Sequence, residues 1–333
     1  MSKNKIVGLG EMLVRFSAPR GILIREARQM NVCYGGGEAN VLVSLSAMGY
    51  PGRYLTKMST SDLGEAAMRF LKEYSIDTTY IARDPRPLGE YFLEDGEGSR
   101  PSKCIYHRKD SAATYMQPDD FDWDKVFEDA CMFHGSGITL SLSDSSAATM
   151  IRAYEEAKKH GVKTSFDFNY RSHMLSLEKA KEIFPEVAKR SNIVFASAWD
   201  IQEILGFEPD VKDDDNLFHD ACMHFGWDYL FTKKRNILSA RNQEIRACGY
   251  TKTNKFKGRN HRFEIYGRIG AGDAFAAGCL AGLLEDYNNG LRAVDLGTAN
   301  CILKQSISGD QSKFSKEDLD RYLQLSGSGE VIR

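Results

Sequence analysis

The chain lacks an excess of charge of either sign. Its 333 residues carry 44 Lys and Arg against 46 Asp and Glu, a net charge of −2. No basic run argues for nucleic acid or an anionic membrane as partner. There is no C-x-x-C pair. The seven cysteines (33, 104, 131, 222, 248, 279 and 301) are scattered and odd in number, so they read as small buried hydrophobes in a reducing compartment rather than as a disulfide frame or a zinc site. No apolar run approaches the length of a membrane span. Gly8, Gly10 and Glu11 interrupt the first apolar run too early for a signal-peptide core. Internal repeats and low-complexity tracts are missing too. The expectation is a cytoplasmic protein with no nucleic-acid or membrane partner, long enough for one large domain with an appendage, or for two domains.

What the chain does have is glycine in two telling places. The first is Gly270-Ala-Gly-Asp273, followed by Ala274, Phe275, Ala277, Leu280 and Leu283 at helical spacing. This is a loop feeding a helix. Gly270 and Gly272 let the backbone turn and come close to a ligand, and the unbonded N–H groups and dipole at the helix start suit a phosphate. An acid at such a mouth is electrostatically odd unless it works there: Asp273 is placed to take a proton from an attacking hydroxyl while the amides of Gly270, Ala271 and Gly272 hold the developing charge. The competing reading makes Asp273 an N-cap and the glycines packing residues. The stretch has neither the Gly-Lys-Ser/Thr ending of a Walker loop nor Rossmann glycine spacing.

The second place is Gly35-Gly-Gly-Glu-Ala-Asn40, running into Val41, Leu42, Leu45 and Met48, with Gly49 as the helix stop. Its exposed backbone and the Asn40 amide suit a polyhydroxylated ligand; a tight turn and cap is the alternative.

Outside these stretches the chain alternates apolar runs with helical spacing, most regularly from residue 130 on. Ile6–Leu9, Arg53–Lys57, Cys131–His134, Lys163–Phe168, Asn192–Ala196 and Asp228–Thr232 read as strands. Helices are expected over Gly64–Tyr74, Ala147–His160, Glu178–Arg190, Leu217–Phe225 and Leu291–Ser306, with a last one opened by Ser315-x-x-Asp318. Strands alternating with helices predict an α/β fold with a mostly parallel sheet covered on both faces, and ligands then bind beyond the C-terminal strand ends. Val14–Phe16, Met30–Tyr34, Gly89–Leu93 and Lys103–Arg108 predict a small separate sheet. Residues 1–11, 36–87 and 110–333 would form the core, and 12–35 and 88–109 the appendage. The tail Ser326–Gly329 should be loose.

Gly270-Ala-Gly-Asp273 with Ala-Phe-Ala-Ala-Gly278 resembles the C-terminal signature of the ribokinase-like (PfkB) carbohydrate kinases. The Gly-Gly-x-x-x-Asn arrangement ending at Asn40 resembles their N-terminal sugar-binding signature. Arg268-Ile269 before the glycines is most similar to the 2-keto-3-deoxygluconate kinase branch. The resemblance implies ATP-dependent phosphorylation of a terminal hydroxyl of that sugar acid, with Mg2+ on the nucleotide phosphates and Asp273 as base. It implies Gly35, Gly36 and Asn40 at the sugar, a lid made of the small sheet, and a homodimer contact through that lid. Tyr91, Tyr106, Arg108 and Arg171 fall where that branch carries lid tyrosines and substrate arginines; a guanidinium grips a carboxylate through two hydrogen bonds. The family's Asn-x-x-Glu element aligns with Ser197-x-x-Asp200, a departure at both positions that leaves Asp200 as metal residue open against a solvated helix-start acid. Where relatives have Thr-x-Gly-x-x-Gly, this chain has Thr232-Lys233-Lys-Arg, either phosphate-pairing or a surface turn. Asn300 lies near the family's adenine pocket. Two alternatives remain: a fructokinase or other neutral-sugar kinase, and a sugar-binding regulator without catalysis.

Overall fold

The structure is a computed structural model that describes residues 3–97, 99–209, 213–239 and 241–325. It begins with β1 (Lys5–Leu9), β2 (Leu13–Ser17), β3 (Asn31–Gly35), α1 (Gly37–Ala47), β4 (Gly52–Leu55), β5 (Lys57–Ser59), α2 (Asp62–Glu73), β6 (Ala82–Asp84), β7 (Gly89–Glu94) and β8 (Lys103–His107). A regular alternation follows: α3 (Trp123–Phe127), β9 (Ala130–Ser136), α4 (Gly137–Leu140), α5 (Asp144–Lys159), β10 (Lys163–Asp167), α6 (Leu177–Ala188), β11 (Ile193–Phe195), α7 (Asp214–Phe225) and β12 (Tyr229–Ile237). Three strands, β13 (Asn242–Tyr250), β14 (Lys255–Lys257) and β15 (His261–Glu264), precede α8 (Ala271–Glu285), α9 (Gly290–Lys304) and α10 (Lys316–Leu325).

The main sheet runs β14-β13-β12-β11-β10-β9-β1-β4, with β15 also on β13. It is parallel from β4 to β12, and β13 reverses the direction. Strand alternation splits its apolar residues between two cores. Ile6, Ile193, Phe195, Tyr229 and Phe231 pack with α1, α8 and α9; Val7, Leu9, Val194 and Leu230 pack with α5 and α6. In each layer some helices start where a side chain bonds the first turn, whereas α1 and α8, with glycine at the N-cap, have no such bond. Ser143 and Ser176 accept from the amides of Ser146 and Lys179 at the starts of α5 and α6, and Asn289 accepts from Arg292 at α9. Ser315 and Asp318 exchange the bonds of a capping box ahead of α10. Among the described residues no helix is long and apolar enough to cross a membrane.

The second sheet runs β3-β2-β7-β8, where β2 and β7 are parallel and the outer pairs antiparallel. Its register sorts the side chains into two rows. Cys33, Arg15, Tyr91 and Tyr106 share one row, while Val32, Phe16, Phe92 and Ile105 share the other. Leu13, Tyr91 and Leu93 pack with Ile269, so the first face looks onto the loop before α8.

The structure departs from the expected elements in two places. Thr56 divides the strand read over Arg53–Lys57 into β4 and β5, and β5 pairs with β6. The strand ending at Thr232 instead continues to Ile237, in register with β13. Lys233-Lys-Arg235 is therefore strand, not a surface turn; its polar residues flank an antiparallel pair at the margin of the sheet. The tail Ser326–Gly329 lies outside the described residues.

Candidate active site

The first turn of α8 forms one wall of a cleft of about 370 Å3 that opens beneath the small sheet. Gly270, at the N-cap, has φ 80°, and a Cβ there would lie 1.6 Å from the Asp310 carbonyl oxygen. Glycine is thus required by the close passage of the loop that follows α9 as well as by the left-handed turn. Among the described residues the N–H groups of Gly270, Gly272 and Asp273 find no backbone acceptor, whereas that of Ala271 reaches the Arg268 carbonyl at 3.4 Å. The cradle expected from residues 270–272 is therefore narrower at its middle amide, and Asp273's own N–H joins it.

Asp273 faces this cleft. The Asn40 amide nitrogen donates to its Oδ2 at 2.6 Å, and Asn40 is held in that orientation because its Oδ1 accepts from Gly36 N at 3.3 Å and Gln311 Nε2 at 2.8 Å. Burial pushes the Asp273 carboxyl above the ordinary carboxylate range and Asp310 adds to the rise, while Asn40, Arg171 and Lys233 pull it back. Lys233 brings a cation to the same mouth, its Nζ 3.8 Å from where a Cβ on Gly272 would sit. At the end of β10, burial pushes Asp167 up to about 7; Lys233 opposes this, and Asp273 and Asp200 add to it.

The small sheet closes the cleft from above. Tyr91 donates its hydroxyl proton to Asp310, and Arg15 forms an ion pair with the same carboxylate. Tyr106 stacks between Tyr91 and His173, with centroids 5.4 and 5.8 Å away. Arg108 is engaged: its Nε donates to Glu11 Oε2 at 2.7 Å, and that carboxylate also accepts from Ser111. Arg171 is exposed at the cleft, and its guanidinium has no hydrogen-bond or ion-pair partner among the described residues.

Gly35, Gly36, Asn40, Tyr91, Tyr106, Arg108, Arg171 and Lys233 all line the cleft with residues 270–273. Other expected site residues lie elsewhere. Ser197 and Asp200 bond each other, Ser197 N to Asp200 Oδ2 at 2.7 Å, beside a π-helical turn, and are not among the lining residues described. Burial raises the Asp200 carboxyl above its ordinary range. Thr232 alternates with Lys233 along β12 and so points to the opposite face. Asn300 is corrected: it is fully buried, its amide donating to the Ala274 carbonyl at 2.8 Å and accepting from Ser312, which ties α9 to α8 instead of facing a ligand.

Arg235, from the basic stretch after Thr232, lines the cleft with Lys233, and sequence reasoning missed Glu11, Asp310, Gln243 and Phe263, which line it too. The Gly8-x-Gly10-Glu11 turn at the end of β1 could have flagged Glu11; nothing local marks Gln243. Among the described residues no group of three or more His, Cys, Asp or Glu is arranged to hold a metal ion.

The family model described as pfkB family carbohydrate kinase matches residues 3–224. A 2-dehydro-3-deoxygalactonokinase of Haloferax volcanii is 27% identical over 327 residues, covering 98% of each chain. A 2-dehydro-3-deoxygluconokinase of Thermoproteus tenax is 26% identical, covering 92% of this chain and 89% of that one. The crystal structure of a Thermotoga maritima 2-dehydro-3-deoxygluconokinase superposes with a TM-score of 0.92 at 29% identity, over 96% of this chain and 98% of that one. With the family model spanning two thirds of its length, the chain belongs to the pfkB family of carbohydrate kinases.

Proposed function

We propose that the chain transfers the γ-phosphoryl group of ATP to the terminal hydroxyl of 2-keto-3-deoxygluconate, as a cytoplasmic sugar-acid kinase. The observation that carries this reading is Asp273, held by Asn40 at the mouth of the α8 amides, in a cleft where Arg171 keeps an unpaired guanidinium. The acceptor oxygen bonds to the γ-phosphorus as the bond to the bridging oxygen breaks; ADP leaves, and Asp273 takes the hydroxyl proton. The amides of Gly270, Gly272 and Asp273, with Lys233, hold the charge on the moving group. Gly35, Gly36 and Asn40 bind the sugar hydroxyls, and Arg171 binds the carboxylate.

Asp167 at the cleft and Asp200, outside its lining but near enough to raise Asp167, are the carboxylates that fit a divalent cation. Asp167 is raised by burial and by its acidic neighbours, a repulsion that a cation relieves. Asp167 and Asp200 would hold Mg2+, which neutralises nucleotide phosphate charge when bound.

Residues 12–35 and 88–109 serve as the lid. Its row of Val32, Phe16, Phe92 and Ile105, in which Phe16 packs partly on the main core and Val32 is 53% exposed, suits a second copy of the chain.

An ADP-release assay across ketodeoxy acids, aldonic acids and neutral sugars tests the reading, with turnover expected for the acids. Preference for fructose would move the assignment to a neutral-sugar kinase; no ADP release with any acceptor would leave a sugar-binding regulator.

A further inference from the structure

Gln243 is fully buried on β13, and neither its Nε2 nor its Oε1 has a hydrogen-bond partner among the described residues. A buried amide unbonded at both ends is destabilising, so its retention at a cleft wall points to a ligand that completes it. Ile245 and Phe263 flank it on the same wall, and Cys301 of α9 and Gln305 just beyond its end line the cleft with them. The position is aligned with the phosphate end. Phe231 and Ala247 belong to one core, so by alternation Lys233 and Arg235 of β12 and Ile245 and Gln243 of β13 share a face. Lys233, beside Gly272, pairs with Ala247, and Gln243 lies four residues further along β13. That is about 13 Å of strand, room for a ribose and phosphates between the slot and the cradle.

We propose that Gln243 reads the 6-position edge of the purine of the phosphoryl donor, with Ile245 and Phe263 walling the ring. Its Oε1 accepts from the 6-amino group, and its Nε2 donates to the neighbouring ring nitrogen, the complementary pair an amide offers adenine. The aromatic ring of Phe263 supplies a stacking surface of the kind bases use. Gln243 is thus a specificity-determining residue for the donor, and its role rests on the reading that this cleft takes ATP.

Calorimetric titration without acceptor sugar tests it, using ATP and purine riboside 5′-triphosphate, which differ only in the 6-amino group. The wild-type chain is expected to bind ATP about fivefold more tightly than the analogue. Gln243→Met, of similar volume, is expected to bind both alike, with KM for the sugar acid unchanged. A wild-type chain that does not distinguish the two triphosphates overturns the proposal, as does a Met variant that keeps the discrimination. The wild-type comparison needs no variant to fold. A chain that discriminates yet phosphorylates no sugar acid keeps the base site and loses the substrate reading; one that phosphorylates the acid without discriminating does the reverse.

Discussion

Replacing Arg171 by alanine removes an exposed guanidinium that makes no hydrogen bond or ion pair among the described residues, so no buried hydrogen bond is broken, although the carboxyls of Asp273, Asp167 and Asp200 lose a nearby cation. Stability should change by no more than about 0.5 kcal/mol. Its cost falls on the substrate: a charged hydrogen bond to a carboxylate is worth roughly 1.5–3 kcal/mol, about 10- to 150-fold in kcat/KM. Arg171→Lys keeps the charge without the planar fork and should fall between.

Arg108→Ala in the same cleft makes a contrasting control. Its partner Glu11 has a side chain only 1% exposed, so the alanine strands a buried carboxylate at a cost of about 3–5 kcal/mol. The assay is coupled ADP release with 2-keto-3-deoxygluconate and with a neutral sugar, alongside thermal unfolding of each variant. An Arg171→Ala enzyme that loses activity equally on both substrates, or whose Tm drops as far as that of Arg108→Ala, refutes the assignment of Arg171 to the carboxylate.

Gly270→Ala places a Cβ on the Asp310 carbonyl at a left-handed φ, whereas at Gly272 the nearest atom to a new Cβ is Lys233 Nζ, 3.8 Å away. Alanine at 270 should therefore lower Tm and cut kcat more than tenfold, while alanine at 272 leaves stability within about 0.5 kcal/mol of wild type, both read by unfolding and turnover. Asp310→Asn keeps an acceptor for Tyr91 but removes the charge opposite the buried Arg15, so KM for the sugar acid should rise about tenfold through a looser lid, measured by steady-state kinetics. Lys304 is fully buried, with Nζ unpartnered among the described residues, and burial lowers its pKa to about 8. Lys304→Met should stabilise the fold by about 1–3 kcal/mol at pH 7. Because the folded amine loses its proton near pH 8 and the unfolded one only near 10.5, wild-type stability rises across that window and the advantage of Met shrinks, as denaturant titrations at pH 7 and 10 would record.

The parts of the site legible in sequence are those set by local chemistry. Glycine before a helix announces itself, so the Gly270-Ala-Gly-Asp273 and Gly35–Asn40 turns were placed where the structure has them, and the short apolar runs of the parallel strands could be read because both faces of each are buried. The extension of β12 could not: Lys233 to Ile237 pair with β13 at a margin where the side chains are half-buried or exposed, and such residues carry no apolar period. Pairing through space was equally hidden. Arg108 reads as a free cation until Glu11 is found 97 residues away, and Asp310 has no visible role until Arg15 and Tyr91 are folded onto it from 295 and 219 residues away. The resemblance puts Asn300 near a nucleotide pocket, but its amide is spent on Ala274 and Ser312 inside the helix pair.

Substituting Asp273 by asparagine tests the account most directly. The new amide can still present an oxygen to the Asn40 donor, so the fold and the sugar-acid affinity should survive, while the proton acceptor is gone. With ATP and 2-keto-3-deoxygluconate, kcat is expected to fall by about 10²–10⁴ and the calorimetric Kd for the acid to stay within about twofold. Turnover within a few fold of wild type, with binding intact, would contradict the role of Asp273 as the base.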